Sequence, residues 1–298
     1  MADNTVYDSV FKTMVHRMPQ LLVPFINEAF GHDYPQDSPV ICFNSEHETP
    51  RGSRIDDSVF RLQEKLYHVE CQSTPDSSMV LRMIEYDFDI ALEEALKEGE
   101  PYELNFPASC VLYLRHTSNT PDALHMMVNL PNGDSFQYET KVIKAQLYSS
   151  DEIFSKKLLI LLPYYLMRYE KNLPAIAADS ALSERLVREC AVLRAELESA
   201  VLRMNETSLY EGLIELIIKV SDYLLAAHKA LQQEVRKAMG GEVLELWPDK
   251  AKRLADEAKA AGREEGVADL SAKLRELGID EDMLEEAVSS IGAARDKA

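Results

Sequence analysis

The sequence predicts a mixed α/β fold followed by a helical region. Two short runs suited to β-strands flank a polar bend at Gln63 and Glu64, which indicates a β-hairpin. Apolar residues recur at helical spacing before and after this hairpin, and residues 180–237 contain almost no helix breakers. We therefore expect three regions: an α/β domain over 1–171, long amphipathic helices over 172–241 and a small charged helical tail over 242–298.

The first thirty residues predict a helix that is interrupted at Pro19. Val6, Val10 and Met14 follow one another at roughly helical spacing on the amino-terminal side of this proline. A second apolar stripe follows Pro19, and Gly31 is the expected residue at the end of that helix.

The segments after the hairpin predict an alternation of helix and strand. A helical pattern begins at Met79 and ends at Gly99. The expected elements beyond it are strands over 109–116, 125–131 and 138–149, a helix over 155–171 and two long amphipathic helices over 180–237.

Composition narrows the class of protein. The chain has 298 residues, of which 46% are hydrophobic and 28% charged, and this balance is typical of globular proteins and excludes whole-chain disorder. No apolar run approaches the length of a membrane span, and the first residues do not resemble a secretory signal. The four scattered cysteines fit a reducing compartment, so we expect a cytoplasmic protein. A net charge of −19 argues against tight nonspecific binding of nucleic acid.

The hairpin brings two acidic side chains into register. If the bend is centred on Gln63, residues whose numbers sum to 126 face each other, and Asp56 lies opposite Glu70. A two-residue bend at Gln63 and Glu64 would place Asp57 there instead. Spacing alone does not choose between the two aspartates.

Strand alternation assigns the neighbours of Glu70 to two faces. His68 and Gln72 share its face, whereas Val69 and Cys71 point to the opposite, apolar side. Facing carboxylates repel unless a cation lies between them, and Mg²⁺ is the hard cation that such oxygens commonly bind. The backbone carbonyl of Cys71 is a possible third oxygen ligand. The alternative is a pair of solvated acids on an exposed hairpin.

The pattern RIDD…HVECQS resembles the PD-(D/E)XK nuclease superfamily. More closely, it is similar to the recombination-promoting nuclease and transposase family (Rpn, YhgA-like). Further segments carry the same resemblance: DSVFK at 8–12, Arg82-Met83 with Tyr86, and KVIKAQLYS ahead of LLPYYLMRYEK. The similarity extends over roughly residues 5–171 and depends on the order and spacing of these short motifs together.

The resemblance implies a restriction-endonuclease-like core, in which helices flank a central mixed sheet. It also implies a Mg²⁺-dependent DNA endonuclease of little sequence preference, with Mn²⁺ able to substitute. It selects Asp56 over Asp57, and it makes Asp56 and Glu70 metal ligands and, with Gln72, catalytic residues. Gln72 occupies the position that is Lys in the wider superfamily. Because Gln supplies no positive charge, we expect a weaker site. A role in recombination or transposition is implied by the resemblance alone.

Secondary candidates accompany this site. Arg82 can bind a phosphate or brace Glu70, and Tyr86 follows it in the family pattern. Asp8 and Lys12 have the i and i+4 spacing of a helix ion pair, and the resemblance makes Asp8 a possible additional metal ligand.

The remaining predictions concern partners. Lys144 and Gln146 share one face of a predicted strand. They would contact DNA phosphates there, or they would only make the edge of the sheet soluble. The helical region suggests a homo-oligomer, and no membrane partner is expected. The competing function is a catalytically weak or inactive nuclease fold that serves as an interaction scaffold.

Overall fold

The computed structural model describes residues 5–43, 58–98, 101–204 and 207–240. The chain divides into two compact units, Met1–Gly241 and Glu242–Ala298. The second unit, which contains the predicted charged tail, lies outside the described residues.

A six-stranded sheet is the centre of the first unit, and it is mixed, as the resemblance implies. The strands are β1 (Val40–Cys42), β2 (Ser58–Leu62), β3 (Lys65–Gln72), β4 (Ala108–Tyr113), β5 (Ala123–Asn129) and β6 (Ser135–Lys144). They run in the order β1-β2-β3-β4-β6-β5 across the sheet. The β3–β4 and β4–β6 pairs are parallel, whereas the other three pairs are antiparallel.

Helices occupy most of the rest of the described chain. Gly31 ends α2 with a left-handed φ of 66°, the conformation that glycine adopts without steric cost. Ser149 begins α4 with a capping box, in which its side chain and that of Glu152 satisfy each other's backbone N–H groups. The helices are α1 (Thr5–Arg17), α2 (Leu22–Phe30), α3 (Met79–Glu98), α4 (Ser150–Ser155), α5 (Leu173–Ala178), α6 (Ser180–Met204), α7 (Thr207–Leu224) and α8 (Lys229–Ala238).

The two faces of the sheet are covered differently. Helix α3 packs on one face through a small apolar cluster that includes Met79, Met83 and Val111. The opposite face, which includes Val69, belongs to a much larger core to which most of the other helices contribute. Leu197 of α6 and Leu213 of α7 are buried in that same core. The helical region therefore shares its apolar interior with the sheet.

Three predicted elements differ from the structure. Residues 155–171 do not form an α-helix: α4 ends at Ser155, Lys157 adopts a left-handed φ of 58°, and a 3₁₀ helix follows over Leu159–Asn172. Pro163 lies inside that segment and has no N–H to donate, which disfavours an α-helix there. The strand predicted over 138–149 ends at Lys144.

The third difference is in the predicted helix pair over 180–237. It is a set of three helices, because the chain turns between α7 and α8. His228 N–H donates to the carbonyl of Leu225 in this turn. Neither Gly nor Pro lies at the turn, so the sequence had no breaker to mark it.

Candidate functional site

Glu70 lies near the carboxyl end of β3 and faces helix α3. Its side chain is only 3% exposed, although an isolated buried carboxylate is costly. Val69, one residue earlier, is buried in the core on the opposite face. The predicted alternation along β3 therefore holds in the structure, and Glu70 needs donors on the α3 side of the sheet.

Two side chains supply those donors. The Nη2 of Arg82, in the first turns of α3, donates to Oε1 of Glu70 at 2.6 Å. The amide of Gln72 donates to the same oxygen. Charge-assisted hydrogen bonds of this kind offset part of the cost of burying the carboxylate. Arg82 thus braces Glu70, which is one of the two roles that the sequence suggests for it.

Asp76 lies beside the same guanidinium. Its carboxylate is 3.8 Å from Nη1 of Arg82. The backbone N–H and the hydroxyl of Ser78 hold the pKa of Asp76 below its ordinary value, and the charge of Arg82 lowers that pKa further. Asp76 therefore adds an ionised carboxylate next to Arg82.

The register of the hairpin differs from the one that placed Asp56 opposite Glu70. The partner positions of β2 and β3, such as Phe60 with Tyr67 and Ser58 with Val69, sum to 127 rather than 126. The reason is a two-residue bend, with Gln63 at a left-handed φ of 54°. This register removes the support that the centred bend gave to Asp56. Both Asp56 and Asp57 lie outside the described residues, so the choice between them stays open.

The Cys71 carbonyl lies on the side of β3 that faces β2. The Gln72 carbonyl accepts from the N–H of Leu114, beyond the end of β4, and successive carbonyls of a strand point to opposite sides. Glu70 and this carbonyl are oxygen donors of the kind that Mg²⁺ prefers. Among the described residues, however, no group of three potential side-chain ligands occurs. The described donors fit a hard cation in kind, but by themselves they do not form a complete site.

A buried polar network, which the sequence reasoning missed, lies next to this site. Nδ1 of His68 is 2.6 Å from Oδ1 of Asp87 on α3. The Ser109 hydroxyl and the Tyr138 phenol each donate to Oδ2 of Asp87, at 2.5 Å. Burial raises the pKa of Tyr138, and the charge of Asp87 raises that pKa further, so the phenol keeps its proton.

One sequence signal pointed to this network. Asp87 follows Met79 and Met83 at four-residue steps, so it continues the apolar stripe of α3. An acid on an apolar stripe requires a buried partner.

Four of the secondary candidates lie on two helices, with Asp8 and Lys12 on α1 and Arg82 and Tyr86 on α3. Asp8 and Lys12 form an ion pair of 3.0 Å on α1, whose apolar side packs in the core across the sheet from Glu70. Burial raises the pKa of Tyr164, and Cys71 and the charge of Asp8 raise it further. Tyr86 packs edge-on against the His68 ring, with centroids 6.1 Å apart.

Lys144 and Gln146 do not share a strand face, because the strand predicted through both residues ends at Lys144. Gln146 belongs to a 3₁₀ turn, and its amide donates to the carbonyl of Met167 at 3.1 Å. Lys144 forms an ion pair with Asp122 at 2.7 Å. In this structure both side chains therefore bind other groups of the same chain.

A second guanidinium lies at the carboxyl ends of the parallel strands β3 and β4. Arg115 donates to both carboxylate oxygens of Glu170, at 2.6 and 2.7 Å, and its Nη1 donates to the Ser73 carbonyl at 3.4 Å. The hydrogen bond and charge of Glu170 raise the pKa of Arg115, although burial acts in the opposite direction. Arg115 ties this end of the sheet to the 3₁₀ helix that contains Glu170.

Comparison of the chain with protein-family models, with curated proteins and with solved structures finds no match. Within the described ranges, no helix has the length and apolar character needed to cross a membrane.

Proposed function

We propose that the protein is a metal-dependent DNA endonuclease that hydrolyses phosphodiester bonds with little sequence preference. The observation that supports this function best is the buried carboxylate of Glu70, held by Arg82 and Gln72 at the carboxyl end of β3. Ligands commonly bind at the carboxyl ends of parallel strands, and β3 and β4 are parallel at this point. A role in recombination or transposition rests on the family resemblance alone.

Separate groups of the chain would bind the metal ion and orient its ligands. Glu70 and the Cys71 carbonyl, with Asp56 or Asp57, would hold Mg²⁺ or Mn²⁺. When bound, this ion would supply positive charge at the phosphate oxygens that gain negative charge during hydrolysis. Arg82 holds Glu70 in its orientation, and it is about one-third exposed, so it can also contact a phosphate.

Gln72 has a more limited role. Its amide donates to Glu70 and can orient a water molecule, but it adds no charge. The proposed turnover is therefore slow compared with that of an enzyme that has Lys at this position.

A catalytically inactive scaffold is the second candidate function. Glu70 already pairs with Arg82, and Lys144 pairs with Asp122, so these proposed site residues have partners within the chain. The net charge of −19 also opposes DNA binding. Oligomerisation through the helical region stays a prediction. The apolar stripes of α6 and α7 that suggested it are buried in the core of the same unit.

Plasmid cleavage distinguishes the two functions. Supercoiled DNA is incubated with the purified chain and Mg²⁺ or Mn²⁺, with EDTA as the metal-free control. Glu70→Gln should abolish nicking, and either Asp56→Asn or Asp57→Asn should do the same. Glu94→Gln is the matched control, because Glu94 also accepts from an arginine, Arg61, at 2.6 Å, but lies outside the proposed site.

Each result of the cleavage experiment supports one of the two functions or refutes the proposed site. Nicking that requires metal, survives Glu94→Gln and disappears in Glu70→Gln supports the nuclease and its site. Nicking that is equal in Glu70→Gln and in the wild type would refute this site. A complete lack of cleavage with either metal would favour the scaffold.

A further inference from the structure

Asp87 connects helix α3 to three adjacent strands of the sheet. Its hydrogen-bond partners are His68 on β3, Ser109 on β4 and Tyr138 on β6. His68 and Ser109 are themselves direct partners in the parallel β3–β4 ladder. His68 and Asp87 are fully buried. One carboxylate therefore fixes where α3 lies across the middle of the sheet.

The Asp87–His68 pair and the Arg82–Glu70 pair lie side by side between α3 and β3. Along α3, residues 82 and 87 are separated by about 7.5 Å of helix rise. Along β3, residues 70 and 68 are separated by about 6.6 Å. The two distances match when helix and strand run in opposite directions, so both pairs can form only at one position of α3 along β3.

The apolar contacts of α3 specify its position less sharply than its hydrogen bonds do. Met79 and Met83 are the buried α3 residues of one apolar cluster, and Ile90 packs with Val59 in a second one. Methionine is unbranched and adapts its shape, so the end of α3 that precedes Asp87 tolerates a shift along the sheet. Hydrogen bonds are directional, and the three that Asp87 makes do not tolerate such a shift.

We propose that Asp87 is a positioning residue that places Arg82 on Glu70 by fixing α3 along β3. It acts through the helix and has no contact with the substrate. Its consequence for catalysis rests on the proposed function, whereas its effect on the Arg82–Glu70 pair does not.

A double-mutant cycle in urea unfolding tests this proposal. The coupling free energy between Arg82→Met and Glu70→Gln is measured in the wild type, in Asp87→Asn and in Glu189→Gln. Glu189 is the matched control, because it is a carboxylate that accepts from two tyrosine hydroxyls, those of Tyr165 and Tyr169, in another part of the fold. The coupling should fall by more than half in Asp87→Asn and stay unchanged in Glu189→Gln.

Milder variants keep the test decisive if Asp87→Asn does not fold. Ser109→Ala and Tyr138→Phe each remove one donor to Asp87, and each should reduce the Arg82–Glu70 coupling. An undiminished coupling in Asp87→Asn, or in both milder variants, would overturn the positioning role. A uniform loss of stability with intact coupling would have the same meaning, because it indicates a merely structural network.

Because these measurements contain no DNA, the positioning role and the nuclease function can fail separately. If the chain cleaves DNA, Ser109→Ala should lower kcat and leave KM unchanged. If it does not, the coupling still decides whether Asp87 positions Arg82.

Discussion

Arg82 and Glu70 form an ion pair of 2.6 Å between partners of very different burial. Arg82 is 35% exposed, whereas the carboxylate that it meets is 3% exposed. Removing the exposed arginine leaves the buried carboxylate without part of its compensating charge, and this loss lowers the stability of the fold. The pair is therefore of structural importance whether or not the chain cleaves DNA.

Arg82→Ala should lower the free energy of unfolding by about 2–3 kcal/mol, below the range for fully buried pairs because Arg82 is partly solvated. Arg61→Ala is the control: Arg61 is 33% exposed, but its partner Glu94 is 25% exposed, and this variant should cost less than about 1 kcal/mol. Urea denaturation of both variants measures the difference. Equal losses would show that the burial of Glu70 does not set the cost.

Lys144 provides a test of the predicted DNA contact. The side chain of Lys144 is itself only 11% exposed, but its partner Asp122 is 95% exposed, so DNA phosphates can compete with Asp122 where the pair reaches the surface. Lys144→Gln should reduce the slope of log affinity against log salt by about 1. Lys141→Gln is the control, since Lys141 lies on the opposite face of β6 and pairs with Glu139. Equal slopes for Lys144→Gln and the wild type in DNA-binding titrations would exclude a phosphate contact at Lys144.

Alkaline pH should destabilise the fold through its buried tyrosines. Burial raises the pKa of Tyr7 and of Tyr165 from 10.0 to about 12, and for Tyr165 the hydrogen bond to Glu189 contributes to this shift. Each group is protonated in both states below about pH 10, so its contribution to stability is complete there. Above that pH only the unfolded chain loses the proton, and the contribution is lost progressively up to about pH 12.

Urea midpoints measured from about pH 9 to 11.5 test this expectation, with tyrosinate absorbance followed in parallel. Tyr165→Phe should make the decline shallower. A midpoint that stays constant over this range would contradict the prediction.

Thiol reactivity should separate the four cysteines. Burial raises the pKa of Cys110 and of Cys190 to about 12, so both lack thiolate near neutral pH. Cys42 and Cys71 are only half-buried and should react with a thiol reagent before Cys110 and Cys190. Counting the modified thiols at about pH 8, before and after unfolding, checks this order. Four fast-reacting thiols in the folded chain would disprove it.

Local patterns predicted much of the α/β region. The alternation along β3 placed Glu70 and His68 on one face and Val69 on the other, because successive side chains of a strand point in opposite directions. The ending of α2 at Gly31 was predicted for the same kind of local reason. These features depend only on neighbours in the chain.

The hairpin register was less predictable. A bend centred on Gln63 and a two-residue bend at Gln63 and Glu64 both fit the sequence. The choice between them changes the partner of every position on β2. Only the folded hairpin shows partners that sum to 127.

The sequence by itself determined the sheet-and-helix order of the α/β region and the set of polar side chains on one face of β3. The tertiary structure decided which of them meet: Arg82 with Glu70, and Asp87 with His68, Ser109 and Tyr138. The physical reason is the distance along the chain. A strand or helix period is set by adjacent residues, whereas these contacts join residues 12 to 51 positions apart and exist only once α3 has packed on the sheet.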